Sequence, residues 1–177
     1  MYDASENIYR HYREAAGLTK EKAAELLDIS VSSLSNYERF IAGSNKFKCP
    51  GEVVLRMEKV YHSRELLWRY LSEYETVGRV ILPKIRDVPL SNAFLRLMIE
   101  QDDVEALEKE LAKISSDDIV HPGEAPVFNK AVNEIWGMIE ASVSFIFAGV
   151  GNTEEAIKKP EGGQYDKRTE KMHDRHY

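Results

Sequence analysis

Residues 17–39 read Gly-Leu-Thr-Lys-Glu-Lys-Ala-Ala-Glu-Leu-Leu-Asp-Ile-Ser-Val-Ser-Ser-Leu-Ser-Asn-Tyr-Glu-Arg. This stretch predicts two short helices joined by a tight turn, the first running from an N-cap at Thr19 to about Leu27. The second begins after Ser30 and ends near Arg39. Threonine and serine at helix starts accept a hydrogen bond from an unsatisfied N–H of the first turn. A short helix held in this way exposes its N-terminal half, which is the shape that fits a DNA major groove.

The two predicted helices carry the residues that would lock them together. Ala23 and Ala24 are small where the helices must cross closely. The turn between them contains Asp28, and aspartate tolerates a left-handed backbone better than most residues. The apolar positions of the pair are Leu27, Ile29, Leu34 and Tyr37.

With these features the stretch resembles the helix-turn-helix domain of phage-repressor-type regulators, also called the XRE family. The match continues more loosely from residue 50 to about residue 74. The resemblance implies a five-helix DNA-binding domain over residues 1–74. The residues that carry it are Arg13, Gly17, Leu18, Thr19, Ala24, Leu27, Ile29, Ser30, Leu34, Ser35, Tyr37, Glu38 and Arg39.

The resemblance implies roles for individual residues of the second, recognition helix. Val31, Ser32 and Asn36 fall where family members contact base edges. Asparagine pairs with adenine through two hydrogen bonds, serine bonds a purine or a pyrimidine, and valine packs on a thymine methyl group. The recognition helix has no arginine or glutamine, which argues against strong readout of guanine.

A second set of residues is implied to contact the DNA backbone. Thr19, Lys20 and Arg39 fall where family members contact phosphates, and the first two lie at a helix N-terminus, whose dipole attracts an anion. The loop over residues 40–49 is several residues longer than in the family. Its lysines, which suit phosphate contact, are Lys46 and Lys48.

The resemblance also implies an ion pair between Arg13 in the first helix and Glu38 at the end of the recognition helix. Helical periodicity predicts three more helices around the central pair. The first spans residues 8–16 and the fourth residues 50–61, while Ser63 is the predicted N-cap of the fifth.

Composition limits the classes of protein that this chain can represent. At 177 residues, 43% of them hydrophobic, it suits one or two small domains with a packed core. No apolar run reaches the roughly 18 residues of a membrane span, and the N-terminus lacks the layout of a signal peptide. Cys49 is the single cysteine, so no internal disulfide is predicted and a reducing cytoplasm is the expected location. Enzyme and cofactor motifs are absent, and neither activity nor cofactor nor metal is predicted.

The net charge of −6 is unequally divided along the chain. Residues 1–70 hold 11 Lys/Arg and 10 Asp/Glu, whereas residues 71–177 hold 13 and 20. The predicted DNA-binding half is therefore near neutral. Because tight binding at physiological salt requires many phosphate contacts, this charge favours modest affinity per monomer and hence a dimer.

After a predicted linker over residues 75–89, the second half shows two helical patterns. Apolar residues spaced seven apart predict one long helix over residues 90–114. A break rich in proline, glycine and aspartate precedes a second helix, predicted from about residue 127 to 148. The two form a predicted hairpin over residues 90–148. The seven-residue repeat consists of Leu90, Leu97, Val104 and Leu111.

The second hairpin helix is apolar on more than one side. A stripe with spacings of four and three residues, here called the four-three stripe, consists of Phe128, Val132, Ile135, Ile139, Ser142 and Ile146. One antiparallel neighbour covers only one stripe, so the surplus predicts a homodimer. The alternative is that the extra side packs back on the N-terminal domain or the linker. The residues assigned to dimerisation are Trp136, Ile139, Val143, Phe145 and Phe147.

Residues 149–177 are polar and predict a mobile tail. The sequence as a whole predicts an all-α protein: a five-helix repressor-type domain followed by a helical hairpin. The predicted function is sequence-specific binding of double-stranded DNA by a dimeric repressor that occludes a promoter. The alternative is a protein inhibitor or antitoxin-like protein, whose acidic C-terminal half binds a protein partner while the N-terminal domain regulates its own gene. A third reading is a structural protein whose head does not bind DNA.

Overall fold

The computed structural model describes residues 7–39 and 48–148. Within these ranges the chain is helical without any β-strand, which confirms the predicted all-α class. Residues 40–47, which include Lys46, and the predicted tail 149–177 lie outside the described residues. The five predicted N-terminal helices are observed as α1 (Ile8–Ala15), α2 (Lys20–Leu27), α3 (Val31–Tyr37), α4 (Gly51–Tyr61) and α5 (Arg64–Arg69).

Helices α1 to α5 enclose one hydrophobic core. A π-helical segment, Tyr70–Tyr74, extends α5 and closes this core from one end. The backbone N–H of Ile8 donates to the Tyr74 hydroxyl at 3.3 Å, which joins the first helix to the last segment. Ser63 is the N-cap residue of α5, as predicted, but its side chain makes no capping hydrogen bond. Fully buried core side chains include Ile8, Tyr9, Leu27, Leu34, Val54, Met57 and Leu66.

The segment predicted as a linker contains one short helix, α6 (Gly78–Ile81), which packs across the π-helical segment. A Cβ atom on residue 78 would lie 1.9 Å from the carbonyl oxygen of Leu71, so only glycine permits this close approach. Residues 83–89, here called the strap, follow in a non-helical conformation, and Ile85 within them is buried.

One buried arginine ties the strap to the N-terminal helices. The Arg69 guanidinium lies 2.7 Å from Glu65, 3.0 Å from Glu73 and 2.6 Å from Asp87 of the strap. Its Nε also donates to the Tyr12 hydroxyl at 3.2 Å. Burial raises the pKa of the Glu73 carboxyl above its ordinary value, although Arg69 opposes this change. Because a buried charge is costly unless it is paired, this cluster holds the strap against α1 and α5.

The prediction of a single helix over residues 90–114 is wrong, because the helix is interrupted after residue 105. At the break the Leu107 N–H donates to the Val104 carbonyl at 3.0 Å, a tighter turn than that of an α-helix. In a straight helix, residues spaced seven apart shift around the helix axis by about 20° per repeat, so they do not stay on one face. Beyond the break, Leu107 and Ile114 are both buried. The two helices are α7 (Leu90–Glu105) and α8 (Glu108–Ile114).

The last helix, α9 (Ala125–Ala148), runs antiparallel to α7 and meets it through small side chains. A Cβ on Gly137 would lie 2.2 Å from a carboxylate oxygen of Glu100. Ala131 and Ala141 are buried, whereas Phe128 and Ile135 of the four-three stripe are each 37% exposed. The hairpin therefore forms as predicted, but through small residues of α9.

The C-terminal end of α9 packs on the strap and on α5. The Phe147 ring lies 6.3 Å from the Trp68 ring, centroid to centroid, and the Trp68 indole N–H donates to the Pro83 carbonyl at 2.9 Å. The backbone N–H of Arg86 donates to the Ser144 hydroxyl at 3.0 Å. Part of the surplus apolar side of α9 thus packs back on the rest of the chain, the alternative that the sequence left open.

Candidate nucleic-acid interface

The α2–α3 pair is built from the local signals that its sequence carries. The Thr19 hydroxyl accepts from the Lys22 N–H at 3.2 Å, and the Ser30 hydroxyl accepts from the Ser33 N–H at 3.0 Å. Asp28 adopts the left-handed conformation, with φ 53° and ψ 50°. Both predicted caps and the predicted turn residue are therefore confirmed.

The inner side of the pair is fixed by close packing. Ala23 and Ala24 are buried in α2, which packs on both α3 and α4, and Leu27 and Leu34 have no exposed surface. A fully buried leucine of this kind stabilises the fold by about 1.5–3 kcal/mol relative to an exposed one. The short helix α3 is thus held by its inner residues, which leaves its outer residues free of any packing role.

The predicted pair between Arg13 and Glu38 is confirmed, and it is buried. The Arg13 Nε lies 2.5 Å from Glu38 Oε1 and its Nη2 lies 3.3 Å from Oε2. The remaining Nη1 donates to the Leu18 carbonyl at 2.7 Å. Burial alone would lower the pKa of the Arg13 guanidinium, but its bonds to Glu38 outweigh burial and raise that pKa. One side chain of α1 therefore fixes both the end of α3 and the loop before α2.

The three predicted base-contacting residues all lie on α3, and two of them share one face of it. Val31 is 40% exposed at the first position of the helix, and Ser32 beside it is exposed. Asn36 is half-buried. Residues four apart on a helix are surface neighbours, so Ser32 and Asn36 share one face.

The predicted phosphate-contacting residues have different surroundings. Thr19 is exposed and its hydroxyl serves as the α2 cap, while Arg39 is exposed next to the end of α3. The Lys20 Nζ lies 3.4 Å from Glu38 Oε2, and the Lys48 Nζ lies 2.8 Å from Glu75. Sequence reasoning missed both lysine partners. The two carboxylates lie 18 and 27 residues further along the chain, and no local pattern connects them to the lysines.

The residues assigned to dimerisation are divided between outer and inner positions. Trp136 is 50% exposed and Ile139 is half-buried. Val143 is buried within the chain, and the rings of Phe145 and Phe147 pack on aromatic residues of α7 and α5. Trp136 and Ile139 therefore lie on the side of α9 that carries the four-three stripe. Ile146 of that stripe is 52% exposed.

Comparison with known proteins finds a match within the N-terminal region. Residues 10–62 match the family model of a helix-turn-helix domain. The helix-turn-helix domain thus includes the α2–α3 pair and both members of the Arg13–Glu38 bridge. No curated protein matches the chain, and neither does any solved structure. The α7–α9 hairpin lies outside the matched residues.

The described residues also bear on metal binding, membrane insertion and thiol chemistry. In residues 7–39 and 48–148 no group of three or more His, Cys, Asp or Glu side chains is placed to hold a metal ion. None of the helices there has the length and apolarity that crossing a membrane requires. Cys49 is fully buried, and burial raises the pKa of its thiol to about 12. Since the thiolate is the reactive form, Cys49 is a packing residue here.

Proposed function

We propose that this protein is a sequence-specific DNA-binding transcriptional regulator of the phage-repressor (XRE) type. The observation that carries the proposal is the α3 helix, whose inner side is fixed and whose Val31 and Ser32 are exposed within a helix-turn-helix domain. In this proposal α3 enters the major groove. Ser32 and Asn36 donate to or accept from base edges, and Val31 packs on a thymine methyl group.

Backbone contacts come from the start of α2 and from the cations beside α3. Lys20 can turn from Glu38 to a phosphate without stranding that carboxylate, because Arg13 remains bonded to it. Lys48 can do the same, because the Tyr70 hydroxyl also donates to Glu75. Each intrachain partner nevertheless competes with the phosphate, which supports modest affinity per monomer.

A modest affinity per monomer favours a homodimer. In this proposal the two chains pair through α9. The exposed members of the four-three stripe have the spacing that coiled coils use for helix pairing. Large exposed apolar patches usually mark interfaces, and a two-fold axis would cover the stripe on both chains at once. Two α3 helices set about 34 Å apart would then reach successive half-sites. A dimer bound in this way near a promoter would exclude polymerase and repress transcription.

The test of the DNA-binding proposal is a footprint of the purified full chain on DNA upstream of its own gene. We expect one protected region, bound more tightly than random DNA at the same salt concentration. Ser32→Ala should weaken binding to that region, whereas Ser91→Ala, at an exposed serine of α7, should not. Equal affinity for all DNA sequences would reject sequence-specific regulation.

A protein inhibitor or antitoxin-like role is the second candidate, and one surface favours it. Leu95 and Ile99 are exposed on α7, turned away from α9, and Asp102 and Asp103 follow on the same helix. An apolar patch beside acidic residues suits a protein partner. A pull-down with the wild type and with Leu95→Lys tests this role, and a partner lost in the variant would support it.

A further inference from the structure

A cleft of about 540 Å³ lies between the N-terminal helices and the end of α9. Its walls come from the end of α1, the turn between α4 and α5, the strap, and the last residues of α9. Small-molecule sites in proteins typically measure about 300–1,000 Å³ and often lie between structural units. The cleft therefore has the size and the position of a ligand site, and it does not include the outer face of α3.

The walls of the cleft combine an apolar part with an acidic part. The apolar part includes Ala15, Ile85 and Phe147, and the acidic part consists of Glu65 and Asp87. The side chains of these two carboxylates are 16% and 26% exposed, whereas that of their shared partner Arg69 is 2% exposed. The carboxylates thus face the cleft and the guanidinium lies behind them.

The charges around the cleft leave an excess of carboxylate. Arg86 also lines it, but the Arg86 guanidinium is paired with Glu140 of α9. Glu73 lies behind the wall, bonded to Arg69 and near the exposed Lys84. Apart from the imidazoles of His11 and His62, which also line the cleft, four carboxylates therefore share three cations. In a partly enclosed site such an imbalance attracts a positive charge more strongly than it does in open water.

We propose that this cleft binds a small organic cation with an apolar body. The apolar body would lie between Ala15 and Phe147, and the positive group would lie at the carboxylates of Glu65 and Asp87. Because the two walls belong to helices α1 to α5 and to the strap with α9, one ligand would contact both parts. The ligand site does not depend on the proposed function, since it requires no DNA.

The experiment compares two probes of nearly the same shape and opposite charge, tetraphenylphosphonium and tetraphenylborate. Calorimetric titration of the full chain should show one phosphonium ion bound per chain, at least tenfold more tightly than borate. Equal or tighter binding of borate would overturn the cationic preference. The absence of phosphonium binding would overturn the site.

Two variants locate the bound cation. Ala15→Phe fills the cleft from an exposed helix position and should weaken phosphonium binding at least tenfold, whereas Ala112→Phe, at an exposed alanine of α8, should not change it. Glu65→Gln removes one wall charge while Arg69 keeps two carboxylates, and should weaken binding several-fold. Undiminished binding by both Ala15→Phe and Glu65→Gln would show that the cation binds elsewhere and reject the proposal. Thermal melts by circular dichroism check that each variant is folded.

Discussion

The N-terminal helices and the C-terminal hairpin bury different kinds of residue. Helices α1 to α5 bury large side chains such as Tyr9, Leu34 and Met57 around one core. The α7–α9 pair buries mainly small ones, and it leaves Ile99 and Trp136 largely exposed. The first region buries most of its large apolar side chains, whereas the second leaves most of its own partly or largely exposed.

This difference follows from the number of helices that share each core. Five short helices can surround a core on all sides, but a hairpin covers one stripe of each helix. Since α9 is apolar on several sides, its C-terminal end packs on Trp68 and the strap, while Phe128, Ile135 and Ile146 of the four-three stripe remain exposed. We therefore expect the N-terminal helices to be stable by themselves, and we expect the stability of the C-terminal hairpin to depend on a partner.

The largest expected effect lies in the first region, at the buried bridge. Glu38→Ala leaves the Arg13 guanidinium buried without its carboxylate, which should lower the free energy of unfolding by about 3 kcal/mol. Urea denaturation monitored by circular dichroism measures this loss. Glu25→Ala, in the exposed pair with Lys22, should cost no more than about 0.5 kcal/mol. Similar losses in the two variants would show that the bridge does not hold the domain together.

The next effect lies in the hairpin and concerns assembly. Ile135→Glu places a charge on the four-three stripe and should weaken dimerisation about a hundredfold, which corresponds to about 2.7 kcal/mol. Unfolding of the helix-turn-helix domain should not change. Leu95→Glu, at an exposed leucine of α7, is the matched control and should remain dimeric. Sedimentation at micromolar concentration separates these outcomes, and a monomeric wild type that still protects two half-sites would end the proposal.

A smaller effect tests whether the outer face of α3 reads bases. Asn36→Ala should lower affinity for the footprinted site by about 1–3 kcal/mol and leave binding to random DNA nearly unchanged. Lys20→Ala should weaken both and reduce the slope of log affinity against log salt by about one. Filter binding at several salt concentrations gives both quantities. Equal losses on both DNAs for Asn36→Ala would contradict base readout.

The smallest effect is a pH dependence at the junction of the two regions. Hydrogen bonds from Lys48 and from the Tyr70 hydroxyl hold the pKa of Glu75 below its ordinary value. A lowered folded-state pKa contributes stability above the unfolded pKa of about 4.5, and this stability is lost as the pH falls through the folded pKa. Wild type should therefore lose up to about 1 kcal/mol more than Glu75→Gln between pH 5 and pH 3. Parallel curves of melting temperature against pH for the two proteins would contradict this role.

Sequence reasoning succeeded where the signal was local. The caps at Thr19 and Ser30 and the left-handed Asp28 depend on neighbouring residues alone. It failed where packing decided the outcome. Large apolar residues dominate the pattern of α9, yet Gly137 and Ala141 let the helices approach closely and lie on the buried side.

A local sequence pattern also cannot identify ion-pair partners that lie far apart in the sequence. Lys48 is read from sequence as a free phosphate ligand, but the fold brings Glu75 to it. Gly78 is read as a linker residue, but the backbone of Leu71 lies where its side chain would be. In both cases the deciding contact joins segments whose relative position only the folded chain defines.

The buried thiol of Cys49 gives this protein a reporter of its own opening. With its pKa near 12 and no exposed surface, the folded-state thiol should not react with an alkylating reagent at neutral pH. Labelling then requires that the five-helix core open first, and its rate under native conditions measures how often that happens. Since the chain has no other cysteine, mass measurements taken over the course of the labelling follow the opening without denaturant.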